Sequence, residues 1–167
     1  MFSNNDLTVE WIPNNPKYQG KYAAAWVPAL TLSQLHSGRY RWDFLIEEMA
    51  QTQIGIGVML QWDIRPDWGF FGYLGASNTA WSYDPSSGDI VTNTQSIKGG
   101  LPKFEDGHRG VITLVLDLPR EAKGEARFIV NGVDTPLIEL LESSVIVPAA
   151  CLLKETQKVT LTNFEQI

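Results

Sequence analysis

The chain carries two histidines, His36 and His108, and a single cysteine, Cys151. Nucleophilic acyl transfer needs an imidazole within hydrogen-bond reach of a hydroxyl or thiol. Each histidine stands beside a turn glycine, in "HSG" and "GHRG", and reads as a solvated turn residue. Cys151 lies inside "VPAACLL", an apolar strand-like run, where a thiol behaves as a small hydrophobe with a raised pKa. Glycoside hydrolysis would need two carboxylates facing each other. Asp43 and Glu47 share the outer side of one strand but sit too far apart along it. Asp84, Asp89 and Asp106 occupy turn contexts, where aspartate commonly bonds its own backbone. There is no Cys/His cluster and no Asp-rich loop suited to Ca²⁺. "GIGVML" lacks the third glycine and the following helix of a phosphate cradle, so Gly55 and Gly57 read as close-packing positions in a sheet. These residues predict no catalytic centre, no metal and no cofactor.

One segment has the composition of a contact surface. Residues 61–71 read "QWDIRPDWGFF", with Trp62, Trp68, Phe70 and Phe71 around Asp63, Arg65 and Asp67. Pro66 and Gly69 break strand pairing, which makes the segment a loop. Interface hot spots favour Trp, Tyr and Arg, because a large rigid ring buries much area at small entropy cost. Trp62, Phe70 and Phe71 have a second reading, as a cap on one end of the core. Trp68, next to Pro66-Asp67, is the ring expected outside. Arg65 and Asp63 have the alternative of a local ion pair.

Composition narrows the partners. The 167 residues carry 13 Lys and Arg against 19 Asp and Glu, a net charge of −6, and the basic residues form no stripe. Phosphate neutralisation supplies most nucleic-acid affinity, so neither nucleic acid nor an anionic membrane surface is expected as a partner. No run of about 18 apolar residues exists to span a bilayer. The N-terminus "MFSNNDLTVEWIPNN" lacks the basic and apolar regions of a signal peptide, and one cysteine allows no internal disulfide. A cytoplasmic protein is the simplest expectation.

The elements that must position the loop are strands. In "RYRWDFLIE", 39–47, Tyr40, Trp42, Phe44 and Ile46 face one way and Arg39, Arg41, Asp43, Leu45 and Glu47 the other. Period two recurs in "GVITLVLDLPREAKGEARFIVNG", 110–132, which predicts an antiparallel hairpin with a connection of about five residues. Asn131-Gly132 then supplies a turn suited to positive φ. Further strands are expected at 7–12, 53–60, 70–75, 79–84, 88–93, 145–153 and 157–164. "LIELLESS", 137–144, has room for one helical turn between Pro136 and Pro148. Many short strands with recurrent turns predict an all-β antiparallel sandwich or barrel in one globular domain.

The order of the pieces carries a resemblance. "SGRYRWDFLI", "IGIGVML", "AWSYDPSSGDIVTN", "LPKFEDGHRGVITLVLDL", "ARFIVNG", "VPAACLL" and "VTLTNF" follow one another as the motifs of the SPRY domain do. The SPRY domain is the core of the B30.2 family. The likeness spans roughly residues 36–164, and its strength lies in colinear order rather than in any one motif. It implies a bent antiparallel β-sandwich of the concanavalin A-like jelly-roll type. Residues 36–167 would form the sandwich and residues 1–35 an N-terminal edge segment packed on it. The sequence departs from the family at Gly107-His108-Arg109-Gly110, at Val147, and in a closing strand one residue too long. With Val159 and Leu161 inward, Phe164 points out unless a bulge intervenes, so a bulge is expected near Thr162-Asn163.

The resemblance also implies a use. Loops at one end of a SPRY sandwich form a shallow groove for a peptide or protein face. The loop after the Gly-Val strand contributes an aromatic, matched here by Phe70. The loop before the closing strand, "LLKETQK", contributes too, although Lys154, Glu155 and Thr156 stand where the family often has a hydrophobic residue. The expected function is a non-catalytic module, monomeric in the favoured case, that binds a protein or peptide through Trp62, Asp63, Arg65, Trp68, Phe70, Lys154 and Glu155. Two alternatives stay open. "SYDPSSGD" beside Trp81 has the residues of a carbohydrate-binding site, although Trp81 and Trp42 read as core. The aromatic loop would also suit a structural or oligomerisation contact.

Overall fold

A computed structural model of the chain describes residues 2–3, 8–10, 37–48, 54–60, 74, 79–93, 95–97, 100–105, 107–120, 122–140, 146–152 and 157–167. Thirteen strands lie in this set: β1 (Phe2–Ser3), β2 (Thr8–Glu10), β3 (Gly38–Glu48), β4 (Gly55–Leu60), β5 (Ala80–Asp84), β6 (Asp89–Thr92), β7 (Gln95–Ile97), β8 (Gly110–Leu118), β9 (Glu125–Val130), β10 (Val133–Asp134), β11 (Ile138–Glu139), β12 (Ile146–Cys151) and β13 (Lys158–Gln166). An eight-stranded sheet runs β1-β2-β13-β3-β8-β9-β10, with β11 also on β9, and a five-stranded sheet runs β12-β4-β5-β6-β7. Every strand pair is antiparallel.

Alternation explains the core. Tyr40, Trp42, Phe44 and Ile46 of β3 are buried, and so are Ile112, Leu114, Leu116 and Leu118 of β8 and Ala126, Phe128 and Val130 of β9. They meet Ile56, Val58, Trp81, Tyr83, Ile90 and Ala150 from the smaller sheet in one cluster. Two packed antiparallel sheets make the architecture an all-β sandwich. Trp42 and Trp81 are core residues, as their strand positions predict.

The hairpin β8–β9 forms with Asp117 opposite Glu125, and residues 119–124 connect the strands. The "LIELLESS" segment goes the other way from its helical option at its start. Ile138 and Glu139 pair with Ala126 and Glu125 as a strand, because β9 offers them an open ladder. β7 and β10 are additional short strands that the period-two pattern does not reveal, because two or three residues carry no period.

The closing strand contains the expected bulge. Leu161 pairs with Phe44 and Asn163 with Asp43, so Thr162 is the extra residue. The bulge reverses the facing of every residue beyond it on the strand. Phe164 thereby turns inward against the core and stacks on Trp42, with ring centroids 5.4 Å apart. A second irregularity lies between Lys158 and Val159, which pair with Glu48 and Ile46 and leave Glu47 extra on β3. Two bulges on neighbouring strands give this sheet the local twist and bend that curvature requires.

Candidate functional site

The seven residues singled out from sequence, Trp62, Asp63, Arg65, Trp68, Phe70, Lys154 and Glu155, lie outside the described residues, as does most of the strand expected at 70–75. The stems of their loops are described, and they set where those loops begin and end. The first loop leaves β4 at Leu60, opposite Ile146 on β12. The second leaves just beyond Cys151, which lies opposite Gly55 at the other end of the same ladder. At about 3.4 Å per residue these two departures are roughly 17 Å apart.

Leu74 closes that gap. Its carbonyl accepts a 2.5 Å hydrogen bond from Ser82 Oγ, and its side chain shares one buried cluster with Cys151. Ser82 and Cys151 lie on the outer face of the smaller sheet, on the side away from the main core. The chain that departs at Leu60 is therefore back beside Cys151 by Leu74. The returning stem of the first loop meets the departing stem of the second.

This meeting point is tightly packed. Met59, Leu74, Ala80, Ala149 and Cys151 form a second small cluster, each at most 4% exposed. Small residues make that approach possible. A Cβ on Gly57 would collide with the Trp81 carbonyl oxygen, so the β4–β5 approach demands glycine at this position. Cys151 is fully buried, and burial pushes its thiol up to about 12. It is an inert packing residue at neutral pH. The second loop rejoins the sheet at Gln157, which is also fully buried.

The remaining candidates for chemistry are occupied locally. Asp84 Oδ1 accepts from Ser86 N at 2.8 Å and from Ser86 Oγ at 2.6 Å, an Asx turn. Asp89 Oδ2 accepts from Ser96 Oγ at 2.7 Å. Trp81, the ring a sugar would need, is 5% exposed. The "SYDPSSGD" turn therefore lacks both a stacking platform at Trp81 and an open carboxylate at Asp84 Oδ1. Tyr83 is fixed by a bond from its hydroxyl to the Pro102 carbonyl, and burial first, the Asp84 charge second, push its pKa above the ordinary range.

Asp43 and Glu47 do not face each other as an acid–base pair. Asp43 accepts from Thr113 Oγ1 at 2.5 Å, Arg41 Nε at 3.2 Å and Asn163 Nδ2 at 3.2 Å. Burial raises its pKa, but these three bonds and the Arg41 charge outweigh it and leave the carboxyl below its ordinary value. Glu47 accepts from Thr160 Oγ1 at 2.5 Å and pairs with Lys158 at 3.1 Å, and its pKa is lowered as well, chiefly by Thr160. Both carboxylates fasten strands. His108 is an exposed turn residue whose Nδ1 accepts from the Glu105 amide at 3.2 Å. His36 and Asp106 lie outside the described residues. Among the described residues no three His, Cys, Asp or Glu side chains gather as metal ligands.

The sandwich invites comparison with known folds. A crystal structure of a human SPRY domain superposes with a TM-score of 0.56 over 85% of this chain and 96% of that one, at 12% sequence identity. The fold is SPRY-like. No protein-family model matches the sequence, and no curated protein matches it. β4 holds the Gly57-Val58 pair and β13 is the last strand of the chain.

Proposed function

We propose that this SPRY-like sandwich is a non-catalytic module that binds a protein or peptide through loops 61–71 and 153–157. The observation that supports the reading is the Leu74 junction, which sets the returning stem of the first loop beside Cys151, where the second loop departs. One stem of each loop then stands on a shared rigid base, as in a composite contact surface. The first loop supplies Trp62, Trp68, Phe70 and Arg65 as apolar and cationic contacts. The second supplies Lys154 and Glu155, which set orientation more than affinity. The SPRY resemblance supports the same use of the same loops.

Peptides selected from a random display library on the wild-type protein test this reading. Trp68→Ala is expected to weaken their binding by about 1–3 kcal/mol, the loss usual for a hot-spot aromatic, with the melting temperature nearly unchanged. A large fall in melting temperature with binding intact would assign Trp68 to the core instead and contradict the proposal.

A further inference from the structure

Asn131 and Gly132 form a two-residue turn between β9 and β10, closed by pairing of Val130 with Val133. Their φ angles are 50° and 79°, the positive pair of a type I′ turn. Both residues are exposed, and nothing lies within 4 Å of the place a Gly132 Cβ would take. In such a turn the ladder bonds close between the flanking residues, which leaves the Gly132 amide outside the ladder.

We infer that Asn131 is a site of spontaneous covalent modification, deamidation through a cyclic imide, and that the product releases β10 from β9. The Gly132 backbone nitrogen loses its proton to solvent and attacks Cγ of Asn131. The bond from Cγ to the side-chain nitrogen breaks, and ammonia leaves with a proton from water. Water then opens the imide at either carbonyl and leaves a carboxylate. Opening at one carbonyl gives aspartate at position 131. Opening at the other gives isoaspartate, with the main chain routed through the former side chain.

The sequence singles out this position. Every other asparagine precedes a residue with a side chain, which hinders attack by the following nitrogen. Asn93 is the internal comparison. It has φ 49° and stands in the tight β6–β7 turn closed by Thr92 and Gln95, but the β-branched Thr94 follows it.

The structural consequence is local. Isoaspartate adds a backbone atom to a loop whose two-residue length fixes the register. The pairs Val130–Val133 and Ile129–Asp134 then lose their alignment, together with the Arg127–Asp134 ion pair at 3.6 Å. Beyond them a second fastening remains, because Phe128 and Thr135 exchange two hydrogen bonds of 2.9 Å, Thr135 N to Phe128 O and Phe128 N to Thr135 Oγ1. Opening stops there.

The test is to age the folded protein in mildly alkaline buffer until some asparagine has converted. Peptide mass spectrometry with isoaspartate-specific detection then locates the change, and hydrogen exchange reads the hairpin. The expected result is conversion at Asn131 ahead of every other asparagine, Asn93 included. Isoaspartate-bearing molecules should lose protection at the Val133 amide and keep it at the Phe128 and Thr135 amides. Asn131→Asp, which adds the charge without the extra atom, should retain protection at all three. Conversion elsewhere first would overturn the assignment of the site. An isoaspartate form with β10 still protected, or an Asn131→Asp variant that opens equally, would overturn the structural consequence.

Discussion

At the scale of single residues, the two carboxylates weighed as an acid–base pair, Asp43 and Glu47, fasten strands. Asp43 ties β8, β3 and β13 together through Thr113, Arg41 and Asn163. Asp43→Ala should cost about 1–3 kcal/mol in urea unfolding at neutral pH, because it leaves partly buried donors without their acceptor. The pH dependence has a definite sign. A carboxyl whose folded pKa lies below its unfolded value stabilises the fold fully above the unfolded value. That contribution is lost as pH falls through the folded value. Asp43 and Glu47 are both of this kind. Stability measured by urea titration should fall as pH drops below about 4, and an Asp43→Asn, Glu47→Gln double variant should show a shallower fall. Cys151 has the opposite displacement, with its thiol raised to about 12 by burial. It should resist a colourimetric thiol reagent in the folded protein at neutral pH and react once urea unfolds the chain. Prompt labelling of the native protein would contradict its packed position.

At the scale of elements, the bulge at Thr162 makes the sharpest prediction. Deleting Thr162 joins Leu161 directly to Asn163, and the pairs Leu161–Phe44, Asn163–Asp43 and Phe164–Trp42 then form an uninterrupted ladder. Its cost should stay below about 2 kcal/mol, the size of a lost hydrogen bond to the Asp43 carbonyl plus local strain. Deleting Thr160 instead also closes the ladder, but it sets Leu161 opposite Leu45 on the outer face and Thr162 opposite Phe44 on the inner one, and it should cost several-fold more. Thermal melts of the two deletions compare them directly. The bulge was legible in sequence because Val159, Leu161 and Phe164 cannot all face inward on a regular strand. The long strands were legible for a related reason: alternation over many residues in β3 and β8 leaves no competing pattern. The outer face of the smaller sheet was legible only in part, through the apolar run around Cys151 and the close-packing Gly57. Ala80, Ser82 and Ala149 are too small and mixed to announce burial, yet all three are buried there. Leu74, the residue that gathers the loop stems, was equally silent, because its role rests on a carbonyl and on where the chain returns rather than on residue type.

At the scale of the whole molecule, the described residues form a sandwich whose larger sheet presents a mixed, strand-fastened polar face. The sequence concentrates aromatic residues in loop 61–71. The two loops of the proposed surface share one base at the Leu74–Cys151 junction, so damage to that base should act on both. Gly57→Ala drives a methyl into the Trp81 carbonyl and should destabilise the fold by about 1–3 kcal/mol or more, as overpacking does, with a matching fall in melting temperature. The binding claim is tested most directly by hydrogen exchange on the wild-type protein with and without a display-selected peptide. The account predicts that protection rises in residues 61–71 and 153–157 and that the outer strands of the eight-stranded sheet stay unchanged. Protection confined to those outer strands, with both loops indifferent to the peptide, would contradict it.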